Sequence, residues 1–95
     1  MLSDNQKNII IDTMMRFKPH KIGVFGSVAR DEDSENSDID LLYSFNSKYS
    51  LFDISGLKLE LQKLLNKKID LIEFSAIHPK LKERIINESI IFYGK

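Results

Sequence analysis

Residues 22–45 read IGVFGSVARDEDSENSDIDLLYSF. An apolar run, Ile22 to Phe25, stops at Gly26-Ser27. After ten intervening residues a second apolar run opens on Asp38-Ile39-Asp40. The first run belongs to a strand predicted over His20–Phe25, with Ile22 and Val24 on one face. The second is a strand predicted over Ser37–Phe45, with Ile39, Leu41 and Tyr43 alternating against Asp38, Asp40 and Leu42. Gly26 lets backbone approach a ligand with no Cβ in the way. The residues after it open a short helix whose free N–H groups and positive dipole end attract phosphate, and the Ser27 hydroxyl adds a donor. Gly-Ser is also a common turn.

Asp38 and Asp40 carry the sharper signal. Residues two apart on a strand point to one face, roughly 6–7 Å apart along the backbone. Two ionised carboxylates so placed repel by roughly 2–3 kcal/mol at an effective dielectric near 20. A divalent cation offers them oxygen-seeking charge, with phosphates completing its shell. The plainer alternative is two acids facing water at an exposed strand end. A phosphate cradle at the end of one strand and a metal site on its neighbour are together what metal-assisted nucleotide chemistry requires. Asp70 is a candidate third acid. It is second in a strand predicted over Ile69–Phe74, on the face with Ile72 and Phe74, while Ile69 and Leu71 take the other. A carboxylate among apolar neighbours lies at a sheet edge or has a partner.

Around these strands the pattern is helical. Ser3 or Asp4 caps a first helix whose stripe runs through Ile10, Met14 and Phe17, widened by Ile11 and Met15, and stopped by Pro19. Ser50 starts a long helix with Asp53 three residues on, an imperfect capping box. Its buried face is predicted as Ile54, Leu57, Leu61, Leu64 and Leu65, and Asn66-Lys67-Lys68 ends it. Pro79 opens a third helix with Leu81, Ile85 and Ile86 on its apolar side. Ile90–Tyr93 is either a last short strand or a tail on the core. The alternation of helices and strands predicts an α+β fold in two layers, a small β-sheet with helices packed on it.

Ninety-five residues and 11.0 kDa predict one domain, residues 1–95, hiding roughly 60–65% of the surface its unfolded chain exposes. Apolar residues at 42% and charged residues at 29% read as globular. Lys plus Arg balance Asp plus Glu, 14 against 14, which argues against a protein that coats long nucleic acid. The absence of cysteine excludes disulfides and thiolate metal sites. No apolar run approaches the roughly 20 residues that span a bilayer, and the N-terminus has no basic region before an apolar stretch. A cytoplasmic location is expected. His20 and His78 lack the spacing of a zinc site, Ser27 has no evident His partner for a hydrolase triad, and Tyr43, Tyr49 and Tyr93 read as packing residues.

Gly26-Ser27-Val28-Ala29-Arg30 followed by Ser37-Asp38-Ile39-Asp40-Leu41-Leu42 resembles the signature of the minimal nucleotidyltransferases, the MNT branch of the polymerase-beta-like superfamily. Lys68-Ile69-Asp70-Leu71-Ile72 resembles that family's third-acid strand. The family usually has Gly after the Arg, where this chain has Asp31. The resemblance implies a mixed sheet and NTP-dependent transfer of a nucleoside monophosphate. Gly26 and Ser27 would hold the triphosphate and Arg30 would balance its charge. Asp38 and Asp40 would bind two Mg²⁺, and Asp70 would join one metal and orient or deprotonate the acceptor hydroxyl. The acceptor is then expected from a partner chain, a homo-oligomer or a docking protein. The resemblance further implies pairing with a HEPN protein as a toxin–antitoxin couple, with AMP from ATP passing to the toxin. Two alternatives stand beside it: a non-catalytic module that neutralises a toxin by contact, and a transferase for a small molecule such as an aminoglycoside.

Overall fold

A capping box at Ser3 starts the chain's first helix. In the computed structural model, which describes residues 2–26 and 38–94, Ser3 Oγ accepts the Gln6 N–H at 3.1 Å and the Gln6 side chain accepts the Ser3 N–H at 2.9 Å. Two otherwise unpaired donors are thereby satisfied. Helix α1 (Asp4–Met14) buries Ile10 and Met14, four residues apart, and a 3₁₀ turn (Met15–Phe17) follows. Lys18 then takes a left-handed conformation at φ 54°. Pro19 does more than stop the helix: it is the first residue of strand β1 (Pro19–Phe25), a position where its missing N–H is tolerated.

Strand β2 (Ile39–Phe45) runs antiparallel to β1, with Val24 opposite Leu41 and Phe25 opposite Asp40. It begins later than the expected Ser37, so Asp38 precedes the strand. Ile39, Leu41 and Tyr43 enter the core as their alternation predicts. Leu42 is fully buried too, on a strand that lies inside the sheet between β3 and β1.

Helix α2 (Leu51–Leu65) is the crossover to β3 (Ile69–Glu73), which pairs with β2 in parallel. Its box is complete. Ser50 Oγ accepts the Asp53 N–H at 3.1 Å, and the Asp53 carboxylate accepts the Ser50 N–H at 3.2 Å. Leu57 and Leu61 are fully buried, Ile54 and Leu65 half-buried, and Leu64 is 54% exposed. The buried line runs at four-residue spacing through Leu57, Leu61 and Leu65, and Leu64 falls to one side of it. Asn66, at φ 53°, reverses the chain. Arg16 of the 3₁₀ turn clasps Glu60 of α2 with two bonds of 2.9 Å. The rings of Phe17, Tyr43, Phe45 and Tyr49 pack with centroids 4.5–5.7 Å apart.

Strand β3 ends at Glu73. Phe74, expected in the strand, belongs to a 3₁₀ turn (Phe74–Ala76). Helix α3 (Pro79–Asn87) begins at its proline, where His78 Nδ1 accepts the Lys80 N–H at 3.2 Å. None of its residues is buried, and Leu81 and Ile86 on its apolar side are exposed. Ile90–Tyr93 is a strand, β4, antiparallel to β1. Three helices and a four-stranded mixed sheet of order β3-β2-β1-β4 are therefore present among the described residues. The short helix expected after Gly26 lies outside them.

Candidate active site

Strand β1 delivers Gly26 to the start of β2. Gly26 has φ 78°, and a Cβ built on it would lie 2.6 Å from Asp40 Oδ2. The glycine is required twice over, for its left-handed backbone and for the space the carboxylate occupies. Ligand approach was the reason the sequence suggested; room for Asp40 is a second one.

The parallel pairing of β2 and β3 sets Asp40 directly opposite Asp70. Registered residues project to the same side of a sheet, so the two acids stand together. Asp40 has its pKa raised, first by burial, then by the negative charges of Asp70 and Asp38, and last by a side-chain hydrogen bond with Asp70. All three causes disfavour its ionised form. Asp38 and Asp70 remain open to solvent and each faces a lysine. Lys68 Nζ lies 4.0 Å from Asp38 Oδ2, and Lys58 Nζ lies 3.9 Å from Asp70 Oδ1.

A cavity of about 370 Å³ opens beside these acids. Asp40 and Asp70 line it from the sheet, and Leu51, Ile54, Ser55 and Lys58 line it from α2. A larger cavity of about 500 Å³ lies among Tyr43, Phe45, Tyr49 and Glu73. It is not lined by Asp38, Asp40 or Asp70, and only Ile54 is common to both.

The structure thus brings together Gly26, Asp40 and Asp70, with Asp38 close enough for its charge to act on Asp40. Ser27, Arg30 and Asp31 lie outside the described residues. Among the described residues no group of three His, Cys, Asp or Glu side chains is arranged to hold a metal ion. The donor chemistry of the paired acids nevertheless fits a hard divalent cation. Asp40 and Asp70 are adjacent oxygen donors that oppose each other's charge, and Asp38 adds to the same field. Lys58 and Lys68 were not foreseen. A lysine on a helix is ordinarily solvated, and only the spacing Leu51, Ile54, Ser55, Lys58, one face of α2, hints that this one meets the site.

Comparison with known proteins identifies the family. The family model for polymerase beta nucleotidyltransferases matches residues 7–95. A candidate protein adenylyltransferase of Methanocaldococcus jannaschii is 42% identical over 84 residues, covering 88% of this chain and 90% of that one. The protein adenylyltransferase MntA of Thermococcus cleftensis is 35% identical over 75 residues, 79% of this chain and 76% of its own. Among solved structures, a candidate minimal nucleotidyltransferase superposes at TM-score 0.79 with 35% identity, covering 90% of this chain and 88% of its own. Two more share the fold at lower identity. A toxin–antitoxin crystal structure with AMP-PNP has TM-score 0.83 and 22% identity, over 99% of this chain and 75% of that chain. A complex of tri-AMPylated HEPN toxin with MNT antitoxin from Shewanella oneidensis has TM-score 0.78 and 19% identity, over 99% and 74%. With the family model spanning nearly the whole chain and relatives this similar over most of their length, the chain belongs to the polymerase beta nucleotidyltransferase family.

Proposed function

We propose that this chain is a Mg²⁺-dependent protein adenylyltransferase, one minimal domain over residues 1–95, that moves AMP from ATP to a hydroxyl on a partner HEPN protein and acts as its antitoxin. The observation that carries this reading is the register of Asp40 with Asp70 beside the Gly26 turn. The relatives at 42% and 35% identity, described as protein adenylyltransferases, support the reaction class. The toxin–antitoxin complexes that share the fold, one with AMP-PNP and one with an AMPylated HEPN toxin, support the nucleotide and the partner. No described helix is long and apolar enough to cross a membrane, and we place the protein in the cytoplasm.

Each residue has a chemical task in this reading. Gly26 and Ser27 hold the triphosphate through backbone N–H groups and the serine hydroxyl, and Arg30 balances its charge. Asp38, Asp40 and Asp70 would hold Mg²⁺, two ions by analogy, which when bound neutralises charge on the phosphates. Asp70 takes the proton of the acceptor hydroxyl. The freed oxygen forms a bond to the α-phosphorus, the bond from that phosphorus to the β-bridging oxygen breaks, and pyrophosphate carries the electron pair away. Alignment of acceptor, α-phosphate and Asp70 in the cavity beside α2 supplies the rate.

The test mixes purified chain, α-labelled ATP, Mg²⁺ and the HEPN partner. Label in the partner with wild-type protein, and none with Asp40→Asn, is the expected result. A partner left unlabelled by the wild type, yet still neutralised, would replace this reading with neutralisation by contact.

A further inference from the structure

Lys58 is the one residue of α2 whose charged end meets an acid of the site among the described residues: its ammonium stands 3.9 Å from Asp70 Oδ1. It lines the same cavity as Asp40 and Asp70. Its backbone is well fixed. It follows the fully buried Leu57, on a helix anchored at its start by the Ser50–Asp53 box and along its length by Leu61. Lys68, by contrast, projects from the turn after α2, is 65% exposed and does not line that cavity.

Asp70 has neighbours of opposite effect on its two sides. Across the sheet, in register with it, stands Asp40, a carboxylate whose charge opposes its own. Across the cavity stands Lys58. A carboxylate flanked only by another carboxylate is repelled toward another χ1 rotamer that faces water. A cation anchored on α2 gives it a second attachment.

We propose that Lys58 is a positioning residue: its ammonium holds the Asp70 carboxylate at the mouth of the cavity, and it thereby governs the transfer step rather than the binding of ATP. The proposal deepens the function given above and rests on Asp70 handling the acceptor hydroxyl. In this assignment Lys58 acts through Asp70, and the split between kcat and KM for ATP distinguishes that from contact with the nucleotide. Partners that orient such a side chain typically contribute about 10–100-fold to activity.

Lys58→Met keeps the length and removes the charge, Lys58→Arg keeps the charge, and Lys63→Met in the last turn of α2 is the control. The measurements are kcat and KM for ATP in partner labelling, and the carboxyl carbon resonance of Asp70 at one fixed pH, assigned by its loss in Asp70→Asn. In Lys58→Met we expect kcat to fall about 10–100-fold, KM for ATP to change less than about twofold, and the Asp70 resonance to move. Lys58→Arg should recover most of the rate, and Lys63→Met should change nothing. Thermal unfolding confirms that each variant is folded. A raised KM with kcat intact would mean that Lys58 binds phosphate, and would overturn the proposal. So would an unmoved Asp70 resonance, or an unaltered rate. If the wild type transfers nothing, the enzymatic function fails by itself, and the resonance still decides whether Lys58 holds Asp70.

Discussion

Gly26 and Asp40 share one space: the position a methyl group would take on Gly26 lies 2.6 Å from Asp40 Oδ2, closer than two such atoms can stand. Gly26→Ala should therefore fail in two separable ways. The left-handed backbone costs an L-residue roughly 1–2 kcal/mol. The new methyl also displaces the carboxylate. Urea unfolding should show Gly26→Ala destabilising the wild type more than it destabilises an Asp40→Ala background, where only the backbone penalty remains. Equal losses in the two backgrounds would mean that the carboxylate moves aside freely.

Asp40→Asn should make the protein more stable at neutral pH while removing at least about 100-fold of its transfer activity. Burial and the neighbouring acids raise the pKa of Asp40 above its ordinary value of 3.8. The folded chain thus binds this proton more tightly than the unfolded chain. Linkage then makes the wild type lose stability as pH rises from 3.8 through the raised folded value, and keep that deficit at pH 7. The asparagine has no such proton. Denaturation at pH 7 and again near pH 4 should show the variant's advantage at the first and its shrinkage at the second. An advantage that grew on acidification would reverse the sign and count against a raised Asp40.

Ser50→Ala should destabilise the chain by about 1 kcal/mol. Its hydroxyl caps α2 at 3.1 Å, and Asp53 returns the bond at 3.2 Å. Because the two bonds form one box, Ser50→Ala and Asp53→Ala should be less than additive in a double-mutant cycle. Strict additivity of the unfolding free energies would show that the two bonds act separately.

The parts of the site that could be read from the chain are those that local geometry determines. Gly26 ends an apolar run and Asp40 lies where apolar alternation begins, so a turn and a strand follow from period-two spacing; Asp38 precedes β2, and the acid in register with Asp40 is Asp70, not Asp38. Asp70 was a candidate because it interrupts an apolar strand. Its facing Asp40 depends on the parallel pairing of β3 with β2, which no local pattern states. The same holds for β4: Ile90–Tyr93 is apolar enough for a strand or a packed tail, and only the partner β1 decides. For Lys58 helical spacing gives only the face of α2; its meaning lies in Asp70, which stands across from it. Spacing puts Leu64 on the buried face of α2 and Leu81 and Ile86 on the apolar side of α3, but it does not say whether another layer lies over them, and all three are exposed.

Asp70→Asn separates catalysis from binding most cleanly. The asparagine is the same size and removes one of the charges facing Asp40, while Asp38 and Asp40 remain as oxygen donors. Affinity for a non-transferable ATP analogue with Mg²⁺ should therefore survive within a few-fold. The transfer rate should fall by about 10²–10⁴, the usual contribution of a group that takes a proton in the reacting step. A chain that neutralises its partner by contact alone would show neither effect, and Asp70→Asn would protect against the toxin as well as the wild type does. Calorimetry with the analogue, partner labelling and toxin neutralisation, all on this one variant, distinguish the cases. Retained binding with lost labelling assigns Asp70 to the chemical step. Lost binding would make it chiefly a holder of the metal and nucleotide, and unchanged labelling would remove it from the site, leaving Asp40 with Asp38 to carry the chemistry.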